Sequence, residues 1–285
     1  MAAYISFQPK DFFSALKYTG TGSSNAVTGV GFSPDAVWIK TTSNAQKPCM
    51  FDTVRGVQKV IYPSEATAEI TDATLLTAFG ADGFTVVSDS DVNGSGYAFS
   101  SWNWKGGTTT GKPTVGETIT PTGYSYSATA GIGMYAYTGT GANGTIAHGL
   151  SSAPEVVIVK KTSAIEEWVF GGTMLTSGAY KLVMNTTAAQ LSEAGAFNST
   201  LPSSTVISLG TSGGTNTSTG GYIMYAFAPV KGYSKFGAYQ GTGDVNSQYI
   251  YTGFQPSWVM IKKTNATSGW YIRDLGQSVS GTTPY

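Results

Sequence analysis

Gly31-Phe32-Ser33-Pro34-Asp35-Ala36-Val37-Trp38-Ile39-Lys40 decides the fold, because the chain writes it three times. The second form is His148-Gly149-Leu150, Pro154 and Val156-Val157-Ile158-Val159-Lys160; the third is Gly253-Phe254-Gln255-Pro256 and Trp258-Val259-Met260-Ile261-Lys262. A glycine turn precedes each copy: Tyr18-Thr19-Gly20-Thr21-Gly22, Tyr137-Thr138-Gly139-Thr140-Gly141 and Tyr239-Gln240-Gly241-Thr242-Gly243. The leading tyrosines stand 119 and then 102 positions apart. Solenoid and propeller repeats are roughly 20 to 50 residues long, so the unit repeated here is a small domain. A second landmark follows in each of the first two units, where Asn93-Gly94-Ser95-Gly96-Tyr97 before Trp102 and Trp104 answers to Asn216 and Gly220-Gly221-Tyr222 before Tyr225 and Phe227. An array of one supersecondary unit provides reach and surface, which argues against a single catalytic cleft.

The apolar runs Ala36 to Ile39, Val156 to Val159 and Trp258 to Ile261 are rich in β-branched and aromatic residues and closed by lysine. They predict central strands covered on both faces. Gly83-Phe84-Thr85-Val86-Val87 and Thr205-Val206-Ile207-Ser208-Leu209 predict further strands, and Tyr97 to Trp104 a half-buried strand with a register change near Ser100-Ser101. Helix-compatible composition is confined to Ser64 through Glu69 and Thr186 through Gln190, enough for a turn or two. The chain of 285 residues then divides into an N-terminal attachment arm (1–17) carrying Phe7, Phe12 and Phe13, a β-sandwich repeat (18–106) and a Gly/Thr/Pro-rich linker with room for one edge strand (107–131). A second sandwich (132–231) and a partial third (232–285) follow. Half a sandwich leaves an unpaired sheet edge and an open core, so the third unit is expected to be completed by further polypeptide or by another chain.

Composition agrees. Only 11% of residues are charged, net charge is zero, glycine numbers 37 and aromatics reach 13%. Short strands and tight turns suit such a chain, and long exposed helices do not. Without a basic excess there is no electrostatic footprint for nucleic acid. No stretch predicts a secretory signal or a membrane span. Cys49 stands alone, which leaves no intrachain disulfide or cysteine-based zinc site. Synthesis in a reducing cytoplasm is expected.

Several stretches imitate chemistry. Gly139 through Gly144 satisfies the spacing of a dinucleotide fingerprint, yet a strand follows where a helix must hold the pyrophosphate. Gly106 through Lys112 has phosphate-loop spacing, with Pro113 where a magnesium-binding hydroxyl belongs. No cofactor is expected. Asp89, Asp91 and Asn93 resemble the first half of a calcium loop, but Ser100 stands where the bidentate carboxylate belongs; they are a weak metal candidate beside an Asx-rich turn. His148, the sole histidine, reads as a loop or core residue. Asp52 with Arg55, and Asp274, read as a buried ion pair that fixes a turn, and no catalytic residue is assigned. Trp102, Trp104, Trp168 and Trp270 either fill cores or present ligand-binding faces, with core packing favoured.

At Phe-Ser-Pro-Asp-Ala-Val-Trp-Ile-Lys (32–40), Asp52 to Gly56, Asp82-Gly83-Phe84, Asn93 and Trp102-Asn103-Trp104-Lys105, the chain resembles repeated domains of structural proteins from marine bacteriophages. The joint Gly232-Tyr233-Ser234-Lys235-Phe236-Gly237 looks like the same family's. That resemblance implies a virion protein, a tail fibre or appendage, built from jelly-roll or concanavalin-like sandwiches and made in the host cytoplasm. It implies attachment to other virion proteins by the N-terminal region, homo-oligomers with a trimer favoured, and contact with host surface glycan or protein. Neither nucleic acid nor membrane insertion belongs to that picture. A capsid decoration or cement protein, and a carbohydrate-binding module or depolymerase spike, are the alternatives. The second unit departs from the pattern, with Gly171-Gly172 where the first has the Asp52 segment.

Overall fold

The computed structural model describes residues 5–244 and 248–274 of the chain. Residues 1–4 of the expected arm and 275–285 of the third unit lie outside the described residues. The fold is all-β, made of antiparallel sheets. Unit one comprises β1 (Phe13–Thr19), β2 (Asn25–Thr28), β3 (Ala36–Thr41), β4 (Cys49–Asp52), β5 (Lys59–Val60), β6 (Ile70–Thr71), β7 (Leu76–Gly80), β8 (Gly83–Val86), the one-turn helix α1 (Ser90–Asn93) and β9 (Ala98–Trp104). A front sheet, ordered β1-β9-β3-β4, is backed by β2-β8-β7, with β5-β6 as a small pair.

Unit two repeats the plan with β10 (Gly123–Ser127), β11 (Ile132–Thr138), β12 (Gly144–Ala147), β13 (Val156–Lys161), β14 (Trp168–Gly172), β15 (Tyr180–Val183), β16 (Leu191–Ser192), β17 (Val206–Leu209), α2 (Gly213–Asn216) and β18 (Gly221–Phe227). Its front sheet runs β10-β11-β18-β13-β14-β15-β16, backed by β12-β17. Of unit three, β19 (Trp258–Lys262) and β20 (Trp270–Asp274) form a hairpin.

The continuous apolar strands follow from burial on both faces. Val37 and Ile39 of β3 enter a core private to unit one, whereas Ala36 and Trp38 enter a second core. In β13, Val157 and Val159 face the private core of unit two, while Val156 and Ile158 enter the same second core as Trp38. That shared core also holds Trp102, Trp104, Trp168 and Tyr225, and the half-buried Trp258, Met260, Trp270 and Ile272 of unit three pack against it. The front sheets therefore converge on one aromatic interior instead of standing apart as beads.

Four sequence expectations change in detail. The strand β9 pairs with both neighbours without a break, so no register change occurs at Ser100-Ser101. Phe99 packs into the private core and Trp102 and Trp104 into the shared one, which is ordinary period-two alternation. The stretches 64–69 and 186–190 are turn and irregular backbone rather than helix. Their backbone groups bond to the next unit, and the single helical turns fall instead at α1 and α2, capped by the side chains of Asp89 and Ser212. The 107–131 stretch does hold one edge strand, β10, at the border of the seven-stranded sheet, but the rest is not free linker, since Ile119 is buried with Tyr126 in the private core of unit two. Finally, Phe13 begins β1, and Phe7 packs edge-on against Phe12 at 5.1 Å and Tyr233 at 5.3 Å, so the aromatics of the arm are turned onto the protein itself.

Candidate functional site

The chemistry-bearing side chains collect where units meet. Asp52 ends β4, and the turn beyond it brings Arg55 back, so that the Arg55 backbone N–H donates to Asp52 Oδ1 at 2.8 Å and its Nε to Oδ2 at 2.6 Å. Arg55 also donates to Glu69 Oε2 at 3.1 Å and to the carbonyls of Lys59 and Met50 at 3.2 and 3.1 Å. From unit two, the Tyr225 hydroxyl donates to Asp52 Oδ2 at 2.6 Å. Burial, the largest single influence on Arg55, would lower its pKa, but the Asp52 charge and hydrogen bond together with the neighbouring Tyr225 and Glu69 outweigh it and the net shift is upward. Burial, followed by the Asp52 charge, raises the Tyr225 phenol well above its usual value. The ion pair expected from sequence is thus present, and it fixes a junction between units as well as a turn.

A second set of bonds completes this junction. Lys160 Nζ donates to Ala66 O at 3.2 Å, Trp168 Nε1 to Tyr62 O at 2.9 Å, Glu166 N to Ala66 O at 2.8 Å, and Glu69 N to Thr162 O at 3.0 Å. Bonds to the Lys161 and Glu166 carbonyls complete the Lys160 ammonium, whose pKa burial still lowers to about 8.

The same bonds recur between units two and three. Lys262 Nζ donates to Thr187 O at 3.3 Å, Trp270 Nε1 to Val183 O at 3.4 Å, Ser268 N to Thr187 O at 2.9 Å, and Gln190 N to Thr264 O at 2.8 Å. Every donor and acceptor here occupies the repeat position of its counterpart in the first junction. Between units three and one, Trp102 Nε1 donates to Asp274 Oδ2 at 2.8 Å, which repeats the bond from Tyr225 to Asp52. Strand register makes the match explicit: Asp52 lies opposite Ala36 and Asp274 opposite Trp258, while Trp102 and Tyr225 occupy the same place in β9 and β18. Each unit therefore touches the other two around the shared core.

The remaining candidates have structural jobs. In the dinucleotide-like stretch, a Cβ added to Gly139 would sit 2.3 Å from the Thr217 carbonyl oxygen, and one on Gly20 2.2 Å from that of Gly94. Gly22 and Gly141 both hold φ at +72°. These glycines allow close approach and left-handed backbone. The segment they make room for is clamped by asparagine: Asn93 Oδ1 accepts from Thr21 N at 2.9 Å, and Asn216 Oδ1 from Thr140 N at 2.7 Å. In the calcium-like stretch, Asp89 caps α1 through Asp91 N, Asp91 accepts from Lys47 N, and Asn93 serves the turn. The three side chains are spent separately, and no group of three metal-ligating residues occurs among the described residues. The phosphate-loop lookalike ends in a buried Lys112 paired with Glu117 at 2.5 Å.

Trp102, Trp104 and Trp168 lie inside the shared core, and Trp270 is half-buried against Phe170 at 5.3 Å. The first three present no open face for a ligand, because their area fills the interior between units, while Trp270 is only partly covered. Sequence reasoning missed Lys160 and Tyr225 as junction residues; the lysine closing every apolar run was the available signal.

Fold and junctions together define the class: an all-β protein in which copies of one sandwich module are fused through a common aromatic interior. The chain belongs to a family described as a domain of unknown function, DUF7483, whose model matches residues 8–283. No curated protein and no solved structure matches it.

Proposed function

We propose that the chain is a non-enzymatic structural and adhesive component of a tailed bacteriophage particle, a tail fibre or appendage that presents β-sandwich units toward the host surface. The phage resemblance of the motifs supplies the particle. The observation that supports a mechanical role is the doubled junction, in which the hydrogen bonds joining units one and two recur between units two and three. Domains within a chain move relative to one another unless their interface is large and apolar. Here the interface contains Trp102, Trp104, Trp168 and Tyr225, a build suited to carrying load as one body. With Phe7, Phe12 and Phe13 packed on the protein itself, attachment to other virion proteins in this reading runs through exposed surfaces of the units, and outer loops meet glycan or protein. Homotrimerisation is expected of such a fibre and is read by light scattering.

Locating the chain in a particle reconstruction tests the proposal, together with adsorption assays in which purified protein should slow phage attachment to its host. Recovery with heads rather than tails, and loss of resistance to osmotic shock on deletion, would replace the fibre reading with a capsid cement role.

A further inference from the structure

A lysine closes the apolar run of every unit, but only one of the three is sealed. Lys160 is 0% exposed, while Lys40 and Lys262 are half-buried. Lys40 Nζ bonds within its own unit, to Thr41 O at 2.9 Å and Asn44 O at 3.4 Å. The Lys160 ammonium has three N–H donors and spends each on a carbonyl: Glu166 O at 2.8 Å, Lys161 O at 2.9 Å and, across the junction, Ala66 O at 3.2 Å.

Among the described residues no carboxylate forms an ion pair with this cation. In the facing segment of unit one, Glu65 is paired with Lys47 at 3.0 Å, and Glu69 with Arg55 at 3.1 Å and Lys59 at 3.3 Å. On the hairpin of Lys160 itself, Glu167 lies 4.0 Å from Lys181, and Glu166 acts only through space, with the Lys161 charge opposing it. The other neighbours are uncharged at neutral pH: Trp168 opposite on β14, Ile223 opposite on β18, the residues Gly213 to Asn216 of α2, and Tyr62, whose phenol pKa burial raises. A buried cation without a paired carboxylate gives up its proton early, and burial lowers the pKa of Lys160 to about 8.

We propose that the Lys160 ammonium is a proton-controlled tie between units one and two, bonded to Ala66 O while charged and released from it on deprotonation. A neutral amine has two N–H donors and a lone pair, so it can serve only two of the three carbonyl oxygens. Ala66 O is the one given up. Its bond is the longest of the three, and Glu166 N still donates to it at 2.8 Å, so that carbonyl is not stranded. The bonds from Trp168 Nε1 to Tyr62 O and from Glu69 N to Thr162 O involve no titrating group. Loss of the proton therefore loosens the junction at one point without parting the units.

The test follows the Lys160 side-chain and Ala66 carbonyl-carbon resonances of the full chain by NMR across alkaline pH. Both should titrate with one midpoint of about 8. In Lys160→Met the Ala66 resonance should no longer respond. Linkage gives a second readout. The folded pKa lies below the ordinary 10.5, so between the two values the unfolded chain holds a proton that the folded chain has released; the buried charge costs stability below about 8, and that cost is relieved as pH rises. The folding constant of the parent relative to Lys160→Met should thus rise at least about tenfold from about pH 8 to about pH 10, with ionising tyrosines cancelling in the ratio. Should the Met variant not fold, the two parent resonances decide alone. A Lys160 still charged above about pH 10, a titrating Lys160 beside an unmoved Ala66 carbonyl, or a flat ratio would each overturn the proposal.

Discussion

Units two and three begin alike and end in different surroundings. The strands β13 and β19 have the same pattern, the same closing lysine and the same bonds into the preceding unit, through Lys160 and Trp168 in one and Lys262 and Trp270 in the other. Yet β13 has strands on both edges and a private core behind it, whereas among the described residues β19 has one neighbour, with Val259 half-buried and Ile261 39% exposed on its back. An apolar run records the burial a module is built for, and the burial observed depends on which other segments of the module are at hand.

The sharpest way to break the comparison is at the first junction. Arg55→Ala leaves Asp52 and Glu69 without their shared cation in a site where Arg55 and Asp52 are buried, and losing one member of a buried pair costs about 3 to 5 kcal/mol. A denaturation midpoint should record that loss. If the variant unfolds within about 1 kcal/mol of the parent, the junction does not hold the units together.

Next comes the same position in different surroundings. Ile39→Ala empties a fully buried site and should cost about 2 to 5 kcal/mol. Ile261→Ala, on the open face of β19, should stay within about 0.5 kcal/mol of the parent. Equal losses in urea unfolding would mean that the back of unit three is covered in solution.

Why so much was legible in the sequence, and why some was not, follows from these residues. Trp38, Val157 and Trp258 sit in recognisable repeats because period-two burial and turn glycines leave local traces. Asp52 and Arg55 could be paired from their spacing in a single turn. The bonds from Tyr225 to Asp52 and from Trp102 to Asp274 span 173 and 172 positions, and no local pattern encodes contacts between modules. For the same reason Ser64 through Glu69 looked helix-compatible, while its backbone is bonded to Thr162 and Glu166 of the next unit instead of to itself. The tryptophans could be counted but not placed, since the solvent side of a sandwich face is decided by what packs on it.

Indole hydrogen bonding sharpens the contrast at smaller scale. Trp168, 0% exposed, donates to two carbonyls, Tyr62 O at 2.9 Å and Glu65 O at 3.1 Å. Trp168→Phe removes both bonds, leaving Tyr62 O only its bond from Glu65 N at 3.0 Å, and should cost about 1 to 3 kcal/mol. Trp270, half-buried and bonded to Val183 O at 3.4 Å, should lose about 0.5 kcal/mol on the same change, a weak bond near water. Thermal unfolding of the two variants side by side reads the difference, and a reversed order would mean that the second junction is the stronger.

The smallest effect separates the closed sandwich of unit two from its neighbours by titration. His148 stands just before Gly149, where unit one has Val30 before Gly31 and unit three has Thr252 before Gly253, so only unit two puts a base there. Its Nδ1 accepts from Leu150 N at 3.0 Å, which leaves the proton on Nε2, facing Ser203 O at 3.2 Å. Burial lowers its pKa from 6.5, ahead of the opposing bond to Ser203. Below 6.5 the unfolded chain takes up a proton that the folded imidazole refuses, so this contribution to stability is whole above 6.5 and drains away as pH falls through the folded value. His148→Gln should therefore flatten the dependence of melting temperature on pH between neutrality and about pH 5, the range in which histidine titrates. Because the chain has a single histidine, its ring-proton resonance assigns itself. An inflection at or above 6.5 would show that water reaches the closed interior of unit two as freely as it reaches the open face of unit three.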